Sequence, residues 1–339
     1  MARERSHIRI AVDTMGGDFA PRNVVAGAVE AMREAKDRLE VLFVGPQSVV
    51  QEELHRLTEN NLNHQIVNAP SIITMDDGAM AAVKEKKDSS IAVGVSLHKE
   101  GAADAFVSAG NTGAVMSAST LILGRIEGIG RPTIGAFFPS EMGVCLLLDA
   151  GANVDCRPQH LYEFAVMGTI YAREMLMLPN PTVGLLSIGE ESSKGNDLTR
   201  EAYQLLAKSR LNFIGNVEGR DILKGKASVV VCDGFVGNVV LKFAEGVLDL
   251  LKTKFRNHAA KNVFSKIWVG MMSRTLRSVM KDFDYQEYGG VPLLGVNGVS
   301  IIGHGKSTPK AIKNMILKAE EMVRKNITGS IRDSLAAAK

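Results

Sequence analysis

Several short stretches of this 339-residue chain combine glycines with carboxylates, amides or a lysine at spacings suited to holding an anion. In Val12-Asp13-Thr14-Met15-Gly16-Gly17-Asp18, two glycines between carboxylates let the backbone approach a ligand closely. Asp13 or Asp18 can orient a neighbouring cation or cap the helix that follows Pro21. Ser108-Ala109-Gly110-Asn111-Thr112-Gly113 reads as a strand end opening an uncharged helix, where exposed N–H groups form an anion site and Asn111 or Thr112 adds a neutral donor. A tight turn or a plain helix cap has the same local signature. The weight therefore comes from recurrence, at Leu148-Asp149-Ala150-Gly151-Ala152-Asn153 and at Cys232-Asp233-Gly234-Phe235-Val236-Gly237-Asn238.

The richest stretch is Ser187-Ile188-Gly189-Glu190-Glu191-Ser192-Ser193-Lys194-Gly195-Asn196. Lys194 there can hold phosphate or polarise a carbonyl, with Glu190 and Glu191 to position it or share a proton, and a solvated charged loop is the alternative. Gly303-His304-Gly305-Lys306-Ser307 resembles a phosphate loop but has Ser300 where the nucleotide-binding motif requires glycine, which argues against an NTPase. His304 between glycines is poorly placed for a core histidine. There is no GxSxG, no HExxH and no dinucleotide GxGxxG after the first strand, so a covalent acyl-enzyme has no nominated nucleophile. A reaction whose bound anion is itself the nucleophile needs only positioning and charge stabilisation, which these loops can supply.

Elements that would position them follow from periodicity. Short Val/Ile/Leu runs alternate with amphipathic stretches, the pattern of parallel strands covered by helices. Strands are expected near Ile8–Asp13, Val41–Gly45, Ala105–Ser108, Thr133–Phe138, Val144–Asp149, Thr182–Ile188, Val229–Cys232 and Ser300–Ile302. Helices are expected at Arg22–Ala35, Ser48–Leu57, Pro158–Met175, Leu198–Lys208, Val236–Phe255 and Pro309–Arg324. Each loop above then leaves a strand end, where ligands bind in open α/β sheets. One α/β catalytic body over residues 1–339 is expected, with 236–283 a helical extension and 333–339 a flexible tail.

Composition narrows the class further. A hydrophobic share of 45% with 40 Lys plus Arg against 37 Asp plus Glu is that of a soluble protein, and a net charge of +3 is too weak to argue for nucleic acid. Three cysteines without CxxC spacing argue against disulfide scaffolds and Cys-rich zinc sites. No stretch has the sustained apolarity of a spanning helix, and the first residues lack the apolar core of a signal peptide. The mild average hides a block, however. Leu250 to Lys281 holds eight basic residues and no acidic one, so the remainder carries 3 − 8 = −5.

Taken in order, IAVDTMGGDFAP, SAGNTGA, LDAGAN, IGEESSKGN and CDGFVGNVVLK, continuing through YGGVPLLGVNG to HGKS, closely resemble the bacterial phosphate acyltransferases of phospholipid synthesis over essentially the whole chain. One departure is Phe19, where that pattern has a polar residue, often His. The resemblance implies a three-layer α/β/α fold akin to phosphotransacetylases and isocitrate-type dehydrogenases, in a cytoplasmic homodimer. It implies attack of inorganic phosphate on the thioester of a long-chain acyl-acyl carrier protein, giving acyl-phosphate and free carrier, with no cofactor or metal. The product would pass to a downstream glycerol-3-phosphate acyltransferase.

On that chemistry the catalytic candidates are Lys194, Asn111, Asn238 and His304. Phosphate- or substrate-binding candidates are Gly16, Gly17, Asp18, Gly110, Thr112, Gly113, Asn153, Glu190, Asp233, Gly234, Lys242 and Lys306, with Asp13 and Asp149 orienting them. The rivals are an acyl-coenzyme A-dependent phosphotransacetylase, a dehydrogenase of related fold, which lacks a clear trio of metal-binding aspartates, and a non-catalytic membrane scaffold.

Within the basic block, Phe264, Trp268, Met272, Leu276, Val279 and Phe283 recur at helical spacing. A packed core or dimer-interface helix has this pattern, and so has an interfacial tip that binds anionic lipid. A third reading is docking of the acidic acyl carrier protein. Lys266, Trp268, Met272, Arg274 and Arg277 are the candidate membrane or carrier contacts.

Overall fold

The structure is a computed structural model that describes residues 7–57, 62–261, 270–272, 275 and 288–337. Its strands are β1 (Ile8–Asp13), β2 (Leu39–Gly45), β3 (His64–Asn68), β4 (Ala105–Ser108), β5 (Thr133–Ser140), β6 (Gly143–Leu148), β7 (Val183–Leu186), β8 (Phe213–Val217), β9 (Val229–Val231), β10 (Val291–Leu294) and β11 (Ser300–Ile302). They form one 11-stranded sheet in the order β3-β2-β1-β4-β11-β10-β5-β6-β9-β7-β8. β3, β2, β1, β4 and β11 are mutually parallel, as are β6, β9, β7 and β8. Between these blocks, β10 and β5 pair antiparallel with each other and with their outer neighbours, so the second block runs opposite to the first.

Side chains alternate between two apolar layers, as the period of a strand demands. Ile8, Ile10 and Val12 of β1 enter one cluster while Ala11 enters another; in β2, Leu39, Val41 and Phe43 oppose Leu42 and Val44. In the second block, Leu146 and Leu148 oppose Cys145 and Leu147. The first layer is covered by α1 (Arg22–Ala35), α2 (Gln47–Arg56), α6 (Pro158–Met175), α7 (Asp197–Ala207), α10 (Pro309–Arg324) and α11 (Ile327–Ala337). The other face is covered by α3 (Ala79–Glu85), α4 (Ser90–Lys99) and α5 (Thr112–Ala118) on one half, and by α8 (Gly219–Lys224) and α9 (Gly234–Ala259) on the other. The expected three layers are present.

The strands without a sequence signal are β3 and β8, at the two edges, and β10, which contains Pro292. Edge strands are half-exposed and lose the continuous apolar run that marks a buried one. The expected tail is corrected in part: α11 continues through Asp333 to Ala337, because Leu335 is anchored in the main core. Among the described residues no helix is long and apolar enough to cross a membrane. The expected 236–283 extension includes most of the 26-residue α9, whose only buried residues are Gly234 and Gly237, and much of the span after α9 lies outside the described residues.

One histidine ties the first block together. At the end of α4, His98 Nδ1 lies 3.1 Å from the Ala103 carbonyl oxygen, and Nε2 accepts from Val299 N–H at 2.9 Å. This pairing needs the neutral ring with its proton on Nδ1, and burial holds the group below the ordinary value of 6.5. A depressed histidine stabilises the fold above its unfolded value and loses that contribution as pH falls below 6.5 toward its folded value. The wild type should therefore lose more thermal stability between about pH 7.5 and pH 5 than His98→Gln does; equal losses would show that this contact carries no pH dependence.

Candidate active site

The loops after β1, β4 and β11 converge because these strands are adjacent. Asp13, buried at the end of β1, accepts from Ser108 Oγ at 2.6 Å and from Met15 N–H at 3.1 Å. Ser108 Oγ in turn accepts from Gly110 N–H at 3.0 Å. Burial raises the Asp13 carboxyl above its ordinary value, opposed by the hydroxyl donors of Ser108 and Ser90 and by Met15 N–H. Gly16 is required by close approach: a Cβ there would lie 2.5 Å from Asp13 Oδ2 and 2.7 Å from the Gly110 nitrogen. Asp18 N–H donates to the Gly305 carbonyl at 2.7 Å, so the Gly16-Gly17-Asp18 turn meets the His304-Gly305-Lys306 turn.

His304 is exposed and its Nδ1 accepts from Lys306 N–H at 3.0 Å, which leaves the proton of the neutral ring on Nε2. Thr112 and Gly113 open α5 as expected, but Asn111 is otherwise engaged. Its Oδ1 caps the helix by accepting from Ala114 N–H at 3.1 Å, and its Nδ2 faces the carbonyls of Thr74, Met75 and Asp77 at 3.1 to 3.3 Å. Asn111, expected as a catalytic donor, here clamps the 74–77 loop with both hydrogens of its amide.

A second set of loops leaves β6, β9 and β7, again adjacent strands. Asp149, 0% exposed, is the hub. Its Oδ1 accepts from Ala152 N–H at 3.1 Å and Ile134 N–H at 3.3 Å; its Oδ2 accepts from Asn153 N–H at 2.6 Å and Asn153 Nδ2 at 2.8 Å. Burial raises this carboxyl, opposed chiefly by the Asn153 and Ala152 donors. Asn153 Nδ2 also reaches the Pro132 carbonyl at 2.7 Å, and its own carbonyl accepts from Gly234 N–H at 2.8 Å. Asp233 caps α9 by accepting from Val236 N–H at 2.9 Å.

The first turn of α9 lies directly on the strand end, because a Cβ on Gly237 would fall 1.8 Å from the Asp149 carbonyl oxygen. This contact sets exposed Asn238 against Gly151, whose φ of +127° favours glycine. Ala152 packs against the apolar cluster that also holds Ile134 and Leu293. Burial raises the thiols of Cys156, to about 11, and of nearby Cys232, so neither supplies an activated thiolate.

The third loop of this set carries exposed Lys194. Lys194 N–H closes a turn on the Glu191 carbonyl at 3.0 Å, and its stem folds over Gly189, where an added Cβ would lie 3.0 Å from Lys194 Cγ. Glu190 pairs instead with Lys226 at 2.7 Å, a residue with no motif of its own, so its expected partnership with Lys194 is corrected. Asn216, 3% exposed, holds the loop by donating from Nδ2 to the Glu191 carbonyl at 2.8 Å. Lys242 lies one turn beyond Asn238 on α9, exposed and paired with Glu245 at 2.8 Å. Of the basic-block candidates, Met272 is partly exposed in a helical segment; Lys266, Trp268, Arg274 and Arg277 lie outside the described residues.

Residues 8–329 match the family described as "Fatty acid synthesis protein". The "Phosphate acyltransferase" of Desulforudis audaxviator is 49% identical over 324 residues, covering 96% of this chain and 95% of that one. This chain belongs to the phosphate acyltransferase family. The namesake from Chlorobaculum parvum is 47% identical over 97% of this chain and 99% of its own. Among solved structures, a phosphotransacetylase from Streptococcus pyogenes aligns over 94% of both chains with a TM-score of 0.63 at 19% identity. At that identity the likeness shows the fold alone: the mixed α/β sheet is that of phosphotransacetylases.

Proposed function

We propose that this member of the phosphate acyltransferase family transfers a long-chain acyl group from acyl carrier protein to inorganic phosphate. A phosphate oxygen attacks the thioester carbonyl carbon, a tetrahedral oxyanion forms, the C–S bond breaks, and the carrier's thiolate leaves to be protonated by solvent. Phosphate is already anionic at neutral pH, so the protein has to gather it, hold it about 3 to 3.5 Å from the carbonyl carbon, and stabilise the oxyanion.

The observation that carries this reading is the adjacency of β6, β9 and β7, whose carboxyl ends release the loops bearing Asn153, Asn238 and Lys194. Here Lys194 supplies the positive charge, Asn238 supplies a hydrogen-bond donor, and Asp149 fixes the loop that carries Asn153. A strong point in its favour is that the chemistry needs no protein nucleophile: burial also raises the third thiol, Cys145, to about 12.

The test is thioester consumption with palmitoyl-acyl carrier protein and palmitoyl-coenzyme A at equal concentrations, with and without phosphate. Phosphate-dependent release of carrier with acyl-phosphate formed is expected, and preference for coenzyme A would overturn the carrier assignment in favour of a phosphotransacetylase.

The family's homodimer is also proposed here. Val236, Val239, Phe243, Val247 and Leu250 form an exposed apolar stripe along α9, with Phe243 73% exposed. The spacing suits a second helix of the same kind, and a monomer by sedimentation at micromolar concentration would contradict it. Peripheral membrane contact through the basic block is the corresponding proposal for residues 266–277.

A further inference from the structure

Beside the Asp149 loop the surface gathers arginines from separate segments. Arg131 directly precedes Pro132, whose carbonyl accepts from Asn153. One residue earlier, the Gly130 carbonyl accepts from Arg125 Nη1, while Gly130 N–H donates to buried Glu163 at 2.8 Å. The His160 ring packs on Gly130, and its Nδ1 accepts from Arg157 N–H at 3.1 Å. Asn297 extends the chain of contacts by donating to the Arg125 carbonyl at 2.7 Å and accepting from Arg332 at 3.3 Å.

All four arginines are exposed. The charges that act on His160 are those of Arg131, Arg157 and Arg125 together with Glu163, whose carboxylate is buried and already spent on Gly130. Exposed Glu127, Asp155 and Asp333 lie in the same segments, and the four arginines outnumber them. The 18-residue α6 starts at Pro158, next to Arg157, and adds the positive end of its dipole to this surface.

We infer that Arg125, Arg131, Arg157 and Arg332 form the docking rim for an acidic protein surface, that of the acyl carrier. This rests on the acyl transfer proposed above. Charge complementarity selects the occupant: guanidinium groups suit carboxylate-rich faces, and a patch at the rim of a site governs encounter rather than chemistry. Its position suits the same occupant, since a carrier seated here brings its thioester to a surface one residue from the carbonyl that Asn153 holds.

The experiment compares wild type with the triple variant Arg125→Glu, Arg131→Glu, Arg157→Glu on two thioesters, palmitoyl-acyl carrier protein and carrier-free palmitoyl-pantetheine. At low salt the variant should show a KM for the carrier substrate raised about tenfold or more, with kcat on the carrier-free thioester and KM for phosphate unchanged; high salt should narrow the gap. An equal loss on both thioesters would overturn the proposal, and so would an unchanged carrier KM with lost sedimentation on vesicles containing phosphatidylglycerol, which would make this a lipid surface. Should the triple variant fail to fold, Arg332→Glu at the outer edge takes its place, with a smaller rise of the same kind expected and no change in carrier KM contradicting the rim. If wild type itself turns over neither thioester with phosphate, the functional reading fails instead.

Discussion

Lys194→Ala is expected to lower kcat/KM for acyl-phosphate formation by about a hundredfold or more, the usual consequence of removing one preorganised donor to a developing oxyanion. The fold should not notice, because the side chain is exposed and forms no ion pair among the described residues. Glu190 keeps its partner Lys226 in the variant, and Asn216 keeps the loop in place through the Glu191 carbonyl. The way the loss divides identifies what the lysine does. A raised KM for phosphate with kcat intact would mean that Lys194 gathers the anion, whereas a fall in kcat alone would mean that it acts on the transition state. Steady-state kinetics with phosphate as the varied substrate, beside a thermal melt, makes the distinction. Near-wild-type turnover would remove Lys194 from the site.

Asp149→Asn carries the largest expected cost to stability, about 3 kcal/mol or more in urea unfolding. The two side chains have almost the same shape, so the effect comes from chemistry. Both carboxylate oxygens accept from two donors each, on Ile134, Ala152 and Asn153. An amide has one acceptor oxygen, so whichever way it turns, its NH2 group faces two N–H donors inside a fully buried site. The result is a pair of unsatisfied buried donors and a displaced 149–153 loop. Because Gly234 N–H bonds the Asn153 carbonyl and Gly237 lies on the Asp149 carbonyl, the start of α9 should shift as well. A loss under about 1 kcal/mol would mean that water or rearrangement satisfies the site.

The sheet's interior was open to reading because its strands are buried on both faces, as at Leu39–Gly45, where every residue is buried. The edge strands His64–Asn68 and Phe213–Val217 are mostly half-buried or exposed and look like loop. At the site, residue types were legible and their engagements were not. Asn111 has the side chain of a neutral donor, but the 74–77 loop that occupies it is more than thirty residues away in the chain. Lys226, which takes Glu190 from Lys194, carries no local signal at all, since only the packing of the loops after β7 and α8 brings it near. Ser108, by contrast, carries a signal in its place at a strand end, because a hydroxyl there can bridge carboxylate and amide. The basic block kept its opening ambiguity, its central residues lying outside the described ones.

In the proposed reaction bound phosphate is itself the nucleophile. Mass spectrometry of the acyl product formed from palmitoyl-acyl carrier protein and phosphate fully labelled with oxygen-18 tests it most directly. Attack by phosphate predicts an acyl-phosphate that retains all of the labelled oxygens, including the one bridging carbon and phosphorus. Free palmitate as the first product, or an acyl-phosphate whose bridging oxygen is unlabelled, would contradict the account.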